Sequence, residues 1–257
     1  MKNNLKISQG EKGYRFSIDP FLLADFTALG GSERVADLGT GCGVIALLLA
    51  AGNDAVTVTG VELQSDLVEI AKNNVYRNGL DGRVEIIRGD IREIHSLLQA
   101  GSFDVVVGNP PYRKLNSGRV NPDPGKALAR HEVALSLEEF VGACAFLLSK
   151  GGSVGMIYHP ARLVELFNLF DRYDITPKRL RSVHSRADSS AAMVLVEGVM
   201  NGKNPLTIEK PLVILNKEGG YTDEAADVYP EQDISSREDA GEAEPQRAHP
   251  WERRTNG

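Results

Sequence analysis

The chain has 257 residues, 42% of them hydrophobic and 25% charged, with a formal charge of −6. This is the composition of a water-soluble globular protein with ample length for a core. Cys42 and Cys144 are too few for a disulfide framework, no Cys/His cluster has zinc spacing, and no apolar run is long enough to span a bilayer. The opening MKNNLKISQGEKGYRF has no apolar signal region, so a reducing, cytoplasmic setting is the expectation.

Taken in chain order, RVADLG (34–39) predicts a strand ending in glycine, and GVIALLLAAG (43–52) a helix closed by Gly52. AVTVTGVE (55–62) predicts a second strand. QSDLVEIAKNNVYRNGL follows, with Leu67, Ile70, Ala71 and Val75 at near-helical spacing and Gly79 near its stop. RVEIIRGD (83–90) predicts a third strand, IREIHSLLQAG a short helix, and FDVVVGN (103–109) a fourth strand. After a polar stretch at 113–130, VALSLEEFVGACAFLLSKGG (133–152) predicts a helix, GSVGMIYH (152–159) a fifth strand and ARLVELFNLFDRY another helix. RLRSVHS (179–185) and AAMVLVEGV (191–199) lie too close together for an intervening helix and predict an antiparallel pair. The fold class is therefore α/β: a Rossmann-like, doubly wound, mostly parallel seven-stranded sheet ending in an antiparallel hairpin.

Charge is unevenly spread. Residues 231–257 carry seven acidic and four basic side chains with almost no apolar residues, and are expected to be a disordered tail. Residues 1–230 form the single expected domain, with 1–33 as a segment capping the cofactor and substrate side. Its net charge is only −3, and it contains two basic clusters. One holds Arg113, Lys114, Arg119, Lys126 and Arg130 against the single Asp123; the other, KRLRSVHSR (178–186), contains no acid. Such patches suit a polyanion, and equally suit solvated loops.

In a doubly wound sheet, ligands bind beyond the carboxyl ends of the strands. The first strand ends there in DLGTGCG, where Asp37, Gly39, Gly41 and Gly43 alternate. The spacing departs from the dinucleotide pattern G-x-G-x-x-G, and Asp37 would repel a pyrophosphate but suit a cation. Glu62 closes the second strand and can accept from ribose hydroxyls, while Asp90 closes the third and can accept from an adenine amino group. These features describe a nucleoside with a cationic amino-acid tail, which is the structure of S-adenosylmethionine. Leu63, Ile91 and Asn109 are assigned to the same ligand.

DLGTGCG, GVE, GD and NPPY resemble the four motifs of the class I S-adenosylmethionine-dependent methyltransferases, in the branch that methylates conjugated nitrogens. That branch acts on adenine N6, cytosine N4 and the glutamine amide. The block QGEKGYRFSIDPFLLADF (9–26), with ARHE (129–132) and PKRLRSVH (177–184), is similar to the tRNA1(Val) adenine-37 N6-methyltransferase family. The resemblance implies a tRNA substrate, with modification in the anticodon-loop region. Tyr14, Arg15 and Phe16 would lie near the pocket mouth or serve as plain packing, and Asp19-Pro20 is read as the N-cap and first-turn proline of a helix over the cofactor.

The catalytic residues expected are Asn109, Pro110, Pro111 and Tyr112. An exocyclic amine is a poor nucleophile because its lone pair is delocalised into the ring. Acceptors on its two hydrogens, the Asn109 side-chain oxygen and the Pro110 carbonyl, would draw the nitrogen towards a tetrahedral geometry. Both prolines remove competing backbone donors, and Tyr112 would stack on the base. Arg113, Lys114, Arg130, Lys178, Arg179 and Arg181 are the residues expected to face RNA. No metal is assigned. An rRNA base, a protein glutamine, RNA binding without turnover and a nicotinamide-dependent dehydrogenase remain as alternatives. A monomer is favoured over an oligomer.

Overall fold

A computed structural model describes residues 5–9, 18–110, 135–203 and 205–229. Among these residues a nine-stranded sheet runs in the order β3-β2-β1-β4-β5-β7-β6-β8, with β9 also paired to β6. The strands are β1 (Arg34–Leu38), β2 (Thr57–Glu62), β3 (Val84–Arg88), β4 (Phe103–Gly108), β5 (Leu148–Tyr158), β6 (Ile175–His184), β7 (Ala191–Met200), β8 (Thr207–Ile208) and β9 (Leu212–Val213). β1 to β5 are parallel, and β7 is antiparallel to both β5 and β6.

The chain moves outward from β1 through β2 to β3, then returns to place β4 on the other side of β1. Strand order therefore reverses between β1 and β4, and a crevice opens there beyond their carboxyl ends. Both central strands are apolar on both faces because helices cover each side. One core packs α1 (Asp19–Phe26), α2 (Val44–Gly52) and α3 (Ser65–Arg77) beneath Val35, Val58, Val105 and Val107. The other packs α4 (Ile94–Leu97), α5 (Leu137–Leu147) and α6 (Leu163–Arg172) against Ala36, Val61, Val106 and Met156. A short α7 (Asp223–Val228) closes the described chain.

Three expectations need correction. The helix expected over 133–152 occupies Leu137–Leu147, started by a Ser136/Glu139 capping box. Leu148–Gly152 belongs to β5, where buried Leu148 pairs with Phe103 and Gly151 takes a positive φ of 80° that no helix continues. Asp19 is not the N-cap: Ile18 holds that position, and Asp19 lies fully buried in the first turn beside Pro20. Finally, the seven expected strands are joined by β8 and β9, two residues each, parallel to β6. Segments that short show no hydrophobic period. The tail expected over 231–257 lies outside the described residues.

Candidate active site

The crevice between β1 and β4 is floored by the turn Gly39–Gly43. Gly39 and Gly41 adopt φ of 77° and 59°, a left-handed backbone that glycine enters without steric cost. The Gly39 and Thr40 amides both donate to the Val61 carbonyl, at 2.9 and 3.1 Å, which binds the turn to the end of β2. Among the described residues, a Cβ on Gly41 would meet nothing within 4 Å, so these leave open space above that backbone. A Cβ on Gly39 would lie 4.0 Å from Ile91 Cδ1, so the loop after β3 brings an apolar side chain over the turn.

Asp37 lies beneath the turn, fully buried. Its Oδ2 accepts from the Thr40 hydroxyl at 2.5 Å, and its Oδ1 is buried with no partner at hydrogen-bond geometry among the described residues, the Ala46 amide lying nearby. Burial pushes the carboxyl up to about 7; the Thr40 hydroxyl and the Ala46 amide oppose this, and the nearby Glu62 charge adds to it. The same burial and the two carboxylates push the Cys42 thiol up to about 11, so Cys42 is no thiolate nucleophile at neutral pH.

Glu62, 7% exposed, joins two parts of the rim. Its Oε2 accepts from the Gly41 amide at 3.0 Å and its Oε1 from the Gln64 amide at 2.9 Å. One carboxylate thus fixes both the glycine turn and the start of α3; Oε1 also accepts from the Gln64 side-chain amide at 3.5 Å, and Oε2 keeps a further lone pair for a ligand hydroxyl. Leu63 follows, half-buried. Asp90 is arranged otherwise than expected. It accepts from the Arg92 amide and lies in a fork with the Arg92 guanidinium, with contacts of 2.5 to 3.0 Å. Arg92 holds the Asp90 carboxyl below its usual range. An adenine amino group would have to share this carboxylate with Arg92.

β4 delivers Asn109 to the opposite side of the crevice. A Cβ on Gly108 would lie 2.9 Å from the Leu38 carbonyl and 2.5 Å from the Phe140 ring. Only glycine lets the end of β4 press this closely on the end of β1, and so Asn109 emerges beside the turn. Asn109 is half-buried and Pro110 buried. Pro111, Tyr112, Arg113, Lys114, Arg130 and the trio Tyr14, Arg15 and Phe16 lie outside the described residues.

The expected RNA-facing residues of β6 have other partners. Arg179 is ion-paired with Glu197 at 2.6 Å and Glu209 at 2.7 Å, and stacks 4.3 Å from the Phe26 ring centroid. Arg181 is paired with Glu224 at 2.6 Å and donates to the Lys210 carbonyl. Lys178 donates to the Lys203 carbonyl. These side chains stand mid-strand, opposite residues such as Glu197 and Leu195, whereas the rim end of β6 is His184 opposite Ala191. Arg179 and Arg181 are thus paired with carboxylates and Lys178 with a backbone carbonyl, away from the rim end of the strand. Among the described residues no group of three or more His, Cys, Asp or Glu could hold a metal ion.

The structure therefore brings together Asp37, Gly39, Gly41, Glu62, Leu63, Ile91, Asn109 and Pro110, and adds Thr40, Gln64 and Asn74. The sequence signal for Asn74 was a poor helix former inside an amphipathic helix; for Thr40 and Gln64 it was only their adjacency to the motif residues.

A family model described as methyltransferase small domain matches residues 19–158. Two proteins named tRNA1(Val) (adenine(37)-N6)-methyltransferase, from Aeromonas salmonicida and Aeromonas hydrophila, are 30% and 32% identical over 208 and 206 residues. Each match covers 80% of this chain and 84% of the relative. Among solved structures, a predicted O-methyltransferase from Agrobacterium tumefaciens superposes with a TM-score of 0.67 at 21% identity, over 82% of this chain and 94% of that one. That likeness concerns the fold alone. On the extent of the family match and of the Aeromonas alignments, the chain belongs to the methyltransferase small domain family, among the tRNA1(Val) (adenine(37)-N6)-methyltransferases.

Proposed function

We propose that the chain transfers the methyl group of S-adenosylmethionine to N6 of an adenine in tRNA, in the anticodon-loop region; the names of its relatives give adenine 37 of tRNA1(Val). The observation that carries this reading is the close approach of Gly108 to Leu38 at the point where strand order reverses, from which the chain runs directly into Asn109-Pro110 on one side and the Gly39–Gly43 turn on the other. The residues present suit the donor. Among the described residues, open space above Gly41 admits it, Glu62 Oε2 offers a hydroxyl acceptor, Ile91 offers an apolar surface, and Asp37 keeps a buried Oδ1 with no partner at hydrogen-bond geometry close to the turn. When bound, S-adenosylmethionine supplies an electrophilic methyl group on a sulfonium.

The chain's own residues then have distinct tasks. Gly39, Gly41, Glu62, Leu63, Ile91 and Asn109 hold the donor, and Asp90 joins them if it shares its Arg92 partner. The Asn109 side-chain oxygen and the Pro110 carbonyl accept the two N6 hydrogens, orient the amine and draw its lone pair out of conjugation. Orientation of this kind contributes roughly 7–11 kcal/mol to lowering a bimolecular barrier. No general base is needed before transfer, because the proton leaves a nitrogen that has become cationic. Tyr112 stacks on the extruded base, worth about 1–3 kcal/mol, and the basic stretch 113–130 faces the phosphates. Residues 1–230 act as one catalytic domain in the cytoplasm. No helix among the described residues is long and apolar enough to cross a membrane.

The test is incubation with labelled S-adenosylmethionine and total tRNA, followed by nucleoside mass spectrometry. The label should appear as N6-methyladenosine. Label in another nucleoside, or in protein glutamine, would replace this reading.

A further inference from the structure

The N-terminal segment Leu5–Gln9 runs along α3, and two asparagines hold it there. Asn78 Oδ1 accepts from the Lys6 amide and Asn78 Nδ2 donates to the Lys6 carbonyl, both at 2.9 Å. Asn74 does the same at Ser8: Oδ1 accepts from the amide at 2.8 Å and Nδ2 donates to the carbonyl at 2.9 Å. Each side chain thus imitates the backbone of a neighbouring strand. The spacing fits because four helical residues rise about 6 Å and two extended residues about 6.6 Å. Ile7, between the two anchor points, is 6% exposed and packs in the core. Arg77 adds a bond to the Ser8 hydroxyl at 2.6 Å.

Asn74 has one more contact. Fully buried, it also donates from Nδ2 to the Cys42 carbonyl at 2.9 Å. Cys42 lies between Gly41 and Gly43, inside the turn that floors the crevice. The partners of Asn74 exclude the flipped amide, which would set an NH2 group against the Ser8 N–H. The turn is therefore held by the Val61 carbonyl, by Asp37 through the Thr40 hydroxyl, by the Glu62 carboxylate and by Asn74. Among these holds in the described residues, that of Asn74 is the one shared with the N-terminal segment.

We infer that Asn74 is a positioning residue for the cofactor turn, and that the segment Leu5–Gln9 is a working part of the donor site acting through it. Docking of the segment at Ser8 fixes the rotamer of Asn74, which fixes the Cys42 carbonyl and with it the left-handed backbone on either side. A turn held in its binding geometry binds its ligand more tightly in proportion to the fraction of time it is so held. The identity of the ligand rests on the proposed function; the coupling of segment to turn does not.

The test uses full-length Asn74→Ala, Ser8→Pro and Asn78→Ala. Ser8→Pro deletes the donor to Asn74 Oδ1 while leaving Asn74 itself in place, and so carries the test if Asn74→Ala does not fold. Amide hydrogen exchange without cofactor should quicken about tenfold in residues 39–47 for Asn74→Ala and Ser8→Pro, with less change in β4 and β5. Asn78→Ala should show a smaller effect of the same kind. Calorimetric titration with S-adenosylmethionine should give a Kd about tenfold weaker, with kcat at saturating donor within twofold of the wild type. Unchanged exchange in 39–47 in both variants would overturn the inference, as would exchange that rises equally everywhere. Wild-type protein that binds no S-adenosylmethionine, while exchange responds as described, would remove the proposed donor and leave the coupling standing.

Discussion

Replacing Asp37 with Asn should change how stability depends on pH. Asp37 is fully buried, and that burial is the main cause raising its carboxyl from 3.8 to about 7. A folded pKa above the unfolded one means that the native state holds a proton which the unfolded chain releases. The stability contributed by protonated Asp37 is complete below the unfolded value and is lost as pH rises through about 7. A difference of roughly three units corresponds to roughly 4 kcal/mol across the whole window, at about 1.4 kcal/mol per unit. Asparagine keeps the shape and still accepts from the Thr40 hydroxyl, but does not titrate. Urea unfolding from about pH 5 to about pH 8 measures this. The stability of the wild type relative to Asp37→Asn should fall from about pH 5 to about pH 7 and level off above that. Parallel curves for the two proteins would refute the assignment of a buried, protonated carboxyl beneath the turn.

Other consequences follow from the same geometry. Gly41→Ala should cost the fold only about 1 kcal/mol of left-handed strain, since its Cβ meets nothing within 4 Å among the described residues. It should weaken donor binding by calorimetry far more, because the methyl group enters the ligand's space. Arg179→Met should destabilise the fold by about 1–3 kcal/mol in thermal or urea unfolding, because it leaves Glu197 and Glu209 without their shared cation. It should leave the salt dependence of tRNA binding unchanged. That salt dependence should itself be steep if the 113–130 cations meet phosphate: binding measured across a range of salt should weaken, and salt-insensitive binding would remove that stretch from the interface.

Much of this was legible from residue order. The valine run of β4, the glycine turn after β1 and the acids ending β2 and β3 are local patterns, and a parallel sheet with known connection rules places them at one edge. What was not legible depends on partners distant in the chain. Arg179 and Arg181 looked like surface cations until β7 brought Glu197 alongside and the segment after β8 brought Glu209 and Glu224. Asp90 looked open because nothing in a GD dipeptide reveals that Arg92 will fold back on it. Asn74 looked like an ordinary helix residue, and its meaning depends on a segment more than sixty residues earlier, Ser8. Gly108 reads as strand punctuation, yet it allows the close approach of β4 to β1 that sets Asn109 beside the turn.

The claim that everything else serves is that Asn109 presents an adenine amine to the methyl donor. It is tested most directly by comparing Asn109→Ala with the wild type for N6-methyladenosine formation on tRNA at saturating donor, with donor affinity measured in parallel. Loss of a group that stabilises developing charge typically lowers kcat by about 10²–10³-fold, and the account predicts at least that, with donor Kd changed by no more than a few-fold. A variant that methylates adenine at near wild-type kcat would contradict it.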